Sequence, residues 1–109
     1  IAESRSRVGF EGVCFSYSFR AGGQGFYAHA IEIADNLLGD DPNDFDNIYT
    51  LLLLSGASVG RSGMAVLAFS PIDIALWDMM AYRVGLPLAK LLGAHRDSVL
   101  CYNTSGWFL

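Results

Sequence analysis

A long apolar stretch over residues 62–84 is the feature that most constrains how this chain can fold. Its apolar residues fall on nearly every side of a helix, and a helix of that kind must be covered on most of its surface. Ser62 can cap its start, and Gly85 can end it. Pro71 lies inside and removes one backbone hydrogen bond, so we expect a kink or two abutting helices there. The stretch predicts the central helix of a packed domain.

The composition favours a packed domain that also contacts other protein. Of 109 residues, 52% are hydrophobic and 17% are charged, which argues against disorder. The mean hydropathy is +0.34, and Lys90 is the single lysine against six arginines. Because a surface normally carries more charge than this, part of the apolar surface is expected to meet the remainder of a larger chain or an oligomer partner.

Charge and hydropathy argue against several classes of protein. A net charge of −4 and a pI of about 4.8 disfavour a nucleic-acid partner. The longest uncharged run, residues 47–60, is shorter than the roughly 20 residues of a membrane span. No basic-then-apolar signal peptide opens the sequence, so we expect a cytoplasmic location. Cys14 and Cys101 are too few for a disulfide framework and are expected to be reduced core thiols.

The first twenty residues predict an antiparallel hairpin. Residues 1–6 alternate weakly between apolar and polar, residues 8–9 favour a turn, and residues 12–20 alternate clearly. Alternation of this kind is typical of a strand with one buried face. The face expected to be buried carries Val13, Phe15, Tyr17 and Phe19.

Helical spacing and turn residues predict three further helices and a late strand. The first helix covers residues 26–38 and stops at Gly39, and the second follows Asp41 as far as about residue 54. A short helix is predicted over residues 87–92, and a strand over residues 98–102.

Several motif-like patterns are better explained by a structural role than by a functional one. Residues 23–28 (GQGFYA) match a dinucleotide-binding fingerprint, but the preceding strand alternates, whereas that fold requires a strand buried on both faces. His29 and His95 have no cysteine or acid at metal-ligand spacing. An acidic cluster lacks the glycine and glutamate of a calcium loop and is better explained by helix capping; its members are Asp40, Asp41, Asp44 and Asp46.

Arg20 and Thr104 are the candidate functional residues. Arg20 follows a predicted strand at the mouth of a glycine-rich loop, and a guanidinium is a natural partner of a carboxylate. A solvated loop arginine is the alternative interpretation. Thr104 follows the last predicted strand, whose carboxyl end would lie at the catalytic face if the strand belonged to a β/α barrel. Without a barrel, Thr104 is an ordinary turn residue.

Three segments in register resemble one enzyme family. Residues 60–65 (GRSGMA), 70–78 (SPIDIALWD) and 85–93 (GLPLAKLLG) are similar to the mandelate racemase/muconate-lactonizing branch of the enolase superfamily. Further segments sharpen the resemblance to the acid-sugar dehydratases that act on galactarate and L-talarate. These segments are residues 15–18, 20–25, 34–39, 56–60 and 101–106.

The resemblance implies a fold and a chemistry. It implies an α+β capping domain, an antiparallel hairpin plus helices, over residues 1–93. Residues 94–109 would be the first strand of a TIM-like β/α barrel whose remainder is absent from this chain. Such enzymes remove the proton α to a carboxylate while Mg²⁺ holds the enediolate, and the β-hydroxyl then leaves to give a 2-keto-3-deoxy acid. The base and the metal ligands belong to later strands, so no catalytic residue and no metal ligand is expected here.

The resemblance also implies three substrate-binding positions, with departures from the family pattern. Phe19 and Arg20 fall on a substrate-contacting stretch of the cap, and Thr104 falls where relatives place a hydroxyl near the substrate carboxylate. Phe19 stands where lysine is expected, and Trp107 where glycine is usual. Apolar or aromatic residues also stand at five positions where polar ones are expected, namely Leu51, Leu67, Met80, Tyr82 and Leu100.

The resulting hypothesis is a fragment of a Mg²⁺-dependent acid-sugar dehydratase, a hydro-lyase that is inactive as this fragment alone. We expect a sugar diacid as substrate, a homo-oligomeric assembly, and neither a nucleic-acid nor a membrane partner. A racemase or epimerase of the same superfamily remains an alternative. So does a non-catalytic helical interaction module, and a nucleotide-binding half-domain is the weakest candidate.

Overall fold

The computed structural model describes residues 2–5 and 9–103 of the chain. Two short strands precede four helices. The elements are β1 (Ala2–Arg5), β2 (Glu11–Cys14), α1 (Gly23–Asn36), α2 (Phe45–Ser55), α3 (Met64–Val84) and α4 (Leu88–Leu91).

Helix α3 is the centre of the fold, as its apolar surface predicts. It contacts both strands and the other three helices. It also supplies most of the buried side chains, with Ile33 of α1 and Ile48 and Leu52 of α2 completing the core. The buried members from α3 are Ala65, Ala68, Pro71, Ala75, Leu76, Met79 and Ala81.

The ends and the middle of α3 refine the sequence interpretation. The helix runs through Pro71 as one element, so two abutting helices are not formed. Packing of the turns on either side outweighs the one hydrogen bond that proline removes. Gly63, not Ser62, occupies the N-cap position and offers no side-chain bond. Gly85 ends the helix in the left-handed conformation with a φ of 69°, as expected.

By length and composition alone, α3 could cross a membrane. Core helices of globular domains pass the same test, and α3 carries the core described above. Burial raises the pKa of the carboxyl of Asp73, a half-buried residue of this helix.

Strand β2 is shorter than the alternation predicts and buries the opposite face. It pairs antiparallel with β1, with Ala2 opposite Cys14 and Arg5 opposite Glu11, and it ends at Cys14. Residue 8 of the predicted turn lies outside the described residues. The face expected to be inside is exposed in the structure: Val13, Phe15, Tyr17 and Phe19.

Gly12 explains the reversed face. A Cβ on this buried residue would lie 1.8 Å from the backbone oxygen of Ala75 and 2.8 Å from Met79 Cβ, so β2 rests its backbone directly on α3. The Val13 backbone N–H donates to Asp78 Oδ2 of α3 at 3.1 Å. The buried face therefore carries glycine, and the large side chains point away from the helix.

Helices α1 and α2 differ from prediction mainly at their ends. Helix α1 begins at Gly23, three residues early, and ends at Asn36. Asp44 rather than Asp41 caps α2, accepting from the Asn47 N–H at 3.3 Å. Asp41 instead accepts hydrogen bonds from the backbone N–H and the side-chain amide of Asn43, which lower the pKa of the Asp41 carboxyl.

Two contacts fasten the α1–α2 connection and α2 to α3. Arg83 Nη1 donates to Asn43 Oδ1 at 2.6 Å. Phe45, the first residue of α2, stacks on Trp77 with ring centroids 4.2 Å apart and planes 17° apart. These contacts hold the outer helix against the central one.

The last described segment contains no strand. Residues 94–103 form neither helix nor sheet pairing, and residues 104–109 lie outside the described residues. A barrel strand takes its hydrogen bonds from neighbouring strands, and no such neighbour is present in the described part of the chain. The predicted first barrel strand therefore stays a prediction. Cys101 is exposed rather than a core thiol, and Cys14 is half-buried.

The unusual apolar residues lie mostly on the surface. Met80 is half-buried, and the other four positions where polar residues were expected are exposed: Leu51, Leu67, Tyr82 and Leu100. The high mean hydropathy of the chain therefore comes partly from its surface rather than from an enlarged core.

Candidate functional site at the loop between β2 and α1

The loop over residues 15–22, called the β2–α1 loop below, carries two of the three predicted substrate-binding residues. Aromatic side chains alternate along its first half. Tyr17 and Phe19 are 61% and 56% exposed and meet edge to face, with centroids 5.1 Å apart. This contact orders the ring of Phe19 immediately before Arg20.

Arg20 adopts an unusual backbone conformation. It is the only non-glycine residue in the described part of the chain with a positive φ, at 63°. The Ala21 N–H donates to the Phe19 carbonyl at 2.7 Å, which closes a three-residue γ-turn around Arg20. A side chain in this region costs on the order of 1–3 kcal/mol, and such residues cluster at functional sites. The strain marks Arg20 as a residue whose direction matters.

The loop is held against the start of α1. Gly22 takes a φ of 89° as the cap of α1, and its carbonyl accepts the Phe26 N–H at 3.2 Å. The hydroxyl of Ser18 lies so near Gly23 that a Cβ there would be 2.8 Å from Ser18 Oγ. The chain thus reverses direction between residues 18 and 23, with Arg20 near the apex.

The guanidinium of Arg20 is available to an anionic ligand. The residue is exposed, and no other residue described in the structure makes a hydrogen bond or ion pair with it. A guanidinium presents parallel N–H donors that match the two oxygens of a carboxylate. Phe19 has no charge and cannot pair with a second carboxylate. Thr104 lies outside the described residues, so its place beside Arg20 stays a prediction.

A concavity lies between α1 and the end of α2. It has a volume of about 430 Å³, and His29 lines it together with Glu32, Asp35 and Ser55. His29 Nδ1 is 3.5 Å from Glu32 Oε2, and its Nε2 is buried without a partner among the described residues. The Glu32 contact is of the kind expected for a hydrogen-bonded structural histidine, whereas Nε2 lacks such a contact among these residues. Over the same described residues, no three His, Cys, Asp or Glu side chains converge on a point that could hold a metal ion.

Sequence reasoning missed the close approaches in and next to the β2–α1 loop. Ser18 and Gly23 come together only through the turn at Arg20, and Asp78 reaches Val13 across 65 positions of sequence. No local pattern signals a contact of that separation. The glycine-rich character of residues 22–25 was the one available hint.

Comparison with known proteins places these features in a family. The family model for the mandelate racemase/muconate lactonizing enzyme N-terminal domain matches residues 8–93. The L-talarate/galactarate dehydratase of Salmonella typhimurium is 83% identical over the whole chain, which spans 27% of that protein. The D-galactarolactone cycloisomerase of Agrobacterium fabrum is 36% identical over 72 residues, covering 65% of this chain and 19% of that protein.

Solved structures agree with the sequence comparison. The L-talarate/galactarate dehydratase of Salmonella typhimurium, liganded with Mg and L-lyxarohydroxamate, superposes with a TM-score of 0.87 at 82% identity, over 98% of this chain and 27% of that one. The L-talarate dehydratase of Polaromonas sp. JS666, complexed with Mg and L-glucarate, has a TM-score of 0.86 at 55% identity, over 98% and 29%. The chain thus spans about a quarter of the length of these relatives, and it belongs to the mandelate racemase/muconate lactonizing enzyme family of the enolase superfamily through the N-terminal domain of that family.

Proposed function

We propose that this chain is the N-terminal capping part of a Mg²⁺-dependent acid-sugar dehydratase whose substrate is a sugar diacid of the galactarate or L-talarate type. The support is identity of 83% along the whole chain to a dehydratase of that name. The single structural observation that carries the proposal is Arg20, an exposed guanidinium without a partner among described residues, on a strained turn.

The part of the reaction that we assign to this chain is recognition of the substrate. The Arg20 guanidinium would donate to a carboxylate of the diacid and fix its orientation. The exposed rings of Tyr17 and Phe19 would cover the bound substrate and exclude water, which strengthens that charge pair. Thr104 would add a hydroxyl near a substrate carboxylate.

The metal and the base are not assigned to the described residues. Relatives are crystallised with Mg, and in this superfamily the ion makes the proton α to a carboxylate removable. No suitable group of metal ligands converges in the described part of this chain. We therefore assign no metal-dependent step to the described residues. The ligands would come from the barrel that follows in the longer relatives.

The domain organisation follows the same proposal. Residues 1–93 would form the capping domain, and residues 94–109 would be the first strand of the TIM-like barrel. The family match ends at residue 93, which supports this division. We further propose a homo-oligomer, since the exposed apolar residues of α2 and α3 suit contact with protein. We also propose a cytoplasmic location.

A racemase or epimerase of the same superfamily is the second candidate. It is favoured by the similarity to a cycloisomerase, whose name denotes an isomerase rather than a dehydratase. The two activities differ in product. A dehydratase forms a 2-keto-3-deoxy acid, whereas an epimerase returns the proton and keeps the β-hydroxyl.

The test uses a chimera in which this segment replaces the matching segment of the Salmonella typhimurium relative. Arg20→Ala should raise KM for galactarate at least about thirtyfold, because a desolvated charge pair is worth roughly 2–5 kcal/mol. Steady-state kinetics in Mg²⁺ measure this change. Lys90→Ala, which removes a positive charge from α4, is the matched control and should leave KM unchanged. An Arg20→Ala chimera with the parental KM would remove Arg20 from the site.

A further inference from the structure

We infer that Phe19 is a specificity-determining residue, which lowers the preference of the Arg20 site for a sugar diacid over the sugar monoacid of the same carbon chain. The monoacid carries a hydroxymethyl group in place of the carboxylate that Arg20 would bind. The inference rests on the proposed function, because it concerns the end of the substrate that Arg20 would hold. It adds that the neighbouring ring decides how strongly a charge at that end is favoured.

The β2–α1 loop and the first residues of α1 offer a ligand a single charge. Residues 15–25 read FSYSFRAGGQG, and Arg20 is the only charged residue among them. The remaining side chains are aromatic, small or hydroxyl-bearing, apart from the amide of Gln24. One guanidinium can bind both oxygens of a carboxylate from one side. This segment has no second cation that could bind the same carboxylate from another side.

Phe19 places an uncharged ring next to that guanidinium. Consecutive Cα atoms lie about 3.8 Å apart, so a group bound by Arg20 is within the length of a side chain from residue 19. The Phe19 ring is 56% exposed, and its edge-to-face contact with Tyr17 has planes 87° apart. The hydrogen bond from the Ala21 N–H to the Phe19 carbonyl keeps Phe19 and Arg20 in one tight turn. A ligand group at Arg20 is therefore bound next to an aromatic side chain.

A carboxylate and a hydroxymethyl group differ in what they lose beside such a ring. A carboxylate has about four lone-pair sites, and a phenyl ring donates to none of them. The face of the ring also carries partial negative charge, which repels an anion. When water is excluded, the lone pairs that Arg20 does not reach lose their hydrogen bonds. A hydroxymethyl group packs its carbon on the ring and has one oxygen to satisfy, so it loses less.

Phe19→Lys is the variant that tests this role. It replaces the ring with a second cation at an exposed position, where no core packing is disturbed. A diacid would gain a second charge pair at its Arg20 end, whereas a monoacid would gain none. Galactarate and D-galactonate are a suitable pair of ligands, because the second has a hydroxymethyl group where the first has a carboxylate.

Two control variants separate the added charge, its place and the loss of the ring. Phe15→Lys adds the same charge earlier in the same loop, at a ring that is 72% exposed. Phe19→Leu removes the ring without adding a charge, and it should change the binding of both acids in the same direction. In both controls the preference for galactarate over D-galactonate should stay within about twofold of the parent.

The experiment uses the same chimera and measures KM for galactarate and the inhibition constant of D-galactonate against galactarate turnover. Phe19→Lys should raise the ratio of the inhibition constant to KM at least about tenfold. The change should come chiefly from a lower KM at an unchanged kcat, because the added charge pair is present in ground and transition states alike. Phe19→Arg adds the same charge with another shape and should give the same change, so the test does not depend on the folding of one variant.

The outcomes separate this inference from the proposed function. A ratio unchanged in Phe19→Lys and Phe19→Arg, while Arg20→Ala still raises KM for galactarate, would overturn the specificity role of Phe19 alone. An equal rise in Phe15→Lys would also overturn it, since the effect would then belong to the charge of the whole loop. A parental KM in Arg20→Ala would instead contradict the proposed function itself.

Discussion

Residues 11–14 and residues 15–20 continue one alternating pattern, yet their surroundings are opposite. The first four form β2, paired with β1 and seated on α3 through Gly12. The next six form no strand, and their aromatic side chains are exposed to solvent, with Phe15 72% exposed. The difference shows that alternation specifies an extended chain but not where pairing stops. The last described pair of the ladder is Cys14 with Ala2.

The two regions also differ in how they are fixed. Residues 11–14 are fixed by a long-range contact, the backbone of β2 against α3. Residues 15–20 contain short-range contacts, namely the ring contact of Tyr17 with Phe19 and the turn at Arg20. Substitutions in the first region should therefore change stability, whereas substitutions in the second should change ligand binding.

The largest stability effect is expected at Gly12. Gly12→Ala would place a Cβ against the backbone oxygen of Ala75, where no flexible side chain can yield. Overpacking of this kind costs about 3 kcal/mol. Chemical denaturation of the 109-residue chain measures this loss of unfolding free energy. Gly25→Ala is the control, because its methyl group would meet only the flexible end of the Met64 side chain. Equal stability of the two variants would mean that β2 does not rest on α3 as described.

A smaller effect is expected at Asp78. Asp78→Ala removes the acceptor for the Val13 N–H, a bond of 3.1 Å at a partly solvent-accessible position, and should cost about 1 kcal/mol. Asp78→Asn keeps an oxygen in the same place and should recover most of that loss. The same denaturation measurement checks both. If Asp78→Asn proved as unstable as Asp78→Ala, the hydrogen bond would not be the cause.

The smallest effect is expected at Phe15. Phe15→Ser removes a ring that is largely in solvent, so the free energy of unfolding of the chain should change by less than about 0.5 kcal/mol. Phe45→Ser, which breaks the stacking on Trp77, is the contrasting variant and should cost several times more. A large loss at Phe15 would show that residues 15–20 pack like the strand that precedes them.

Much of the helical part could be predicted because its signals are local. The apolar surface of α3 predicts a covered helix, and Gly85 predicts its end. The short helix α4 lies within one residue of its predicted bounds at each end. Boundaries set by competing caps were less predictable: Asp44 caps α2 although Asp41 precedes Pro42. The family resemblance was also present in the sequence, since its motifs are contiguous segments.

Sequence reasoning named residues for the candidate site but could not give their geometry. Arg20 could be singled out by its place beside a glycine-rich loop, but its positive φ could not, because glycine and asparagine are the usual residues there. Tyr17 was assigned to a buried face and instead contacts Phe19 in the open. The error arose because the alternating pattern has large apolar residues on one face and Gly12 on the other. The face with the large apolar side chains was expected to be buried, whereas the face with Gly12 is the buried one.

By itself the sequence determined the central helix, the strand character of residues 12–14 and the family, because each depends on neighbours a few positions apart. Tertiary structure decided which face of β2 is buried, where the strand ends and how Arg20 is aimed. Those features depend on contacts between distant residues, such as Val13 with Asp78 across 65 positions, and on one close approach of backbone to backbone at Gly12. Local periodicity carries no information about either.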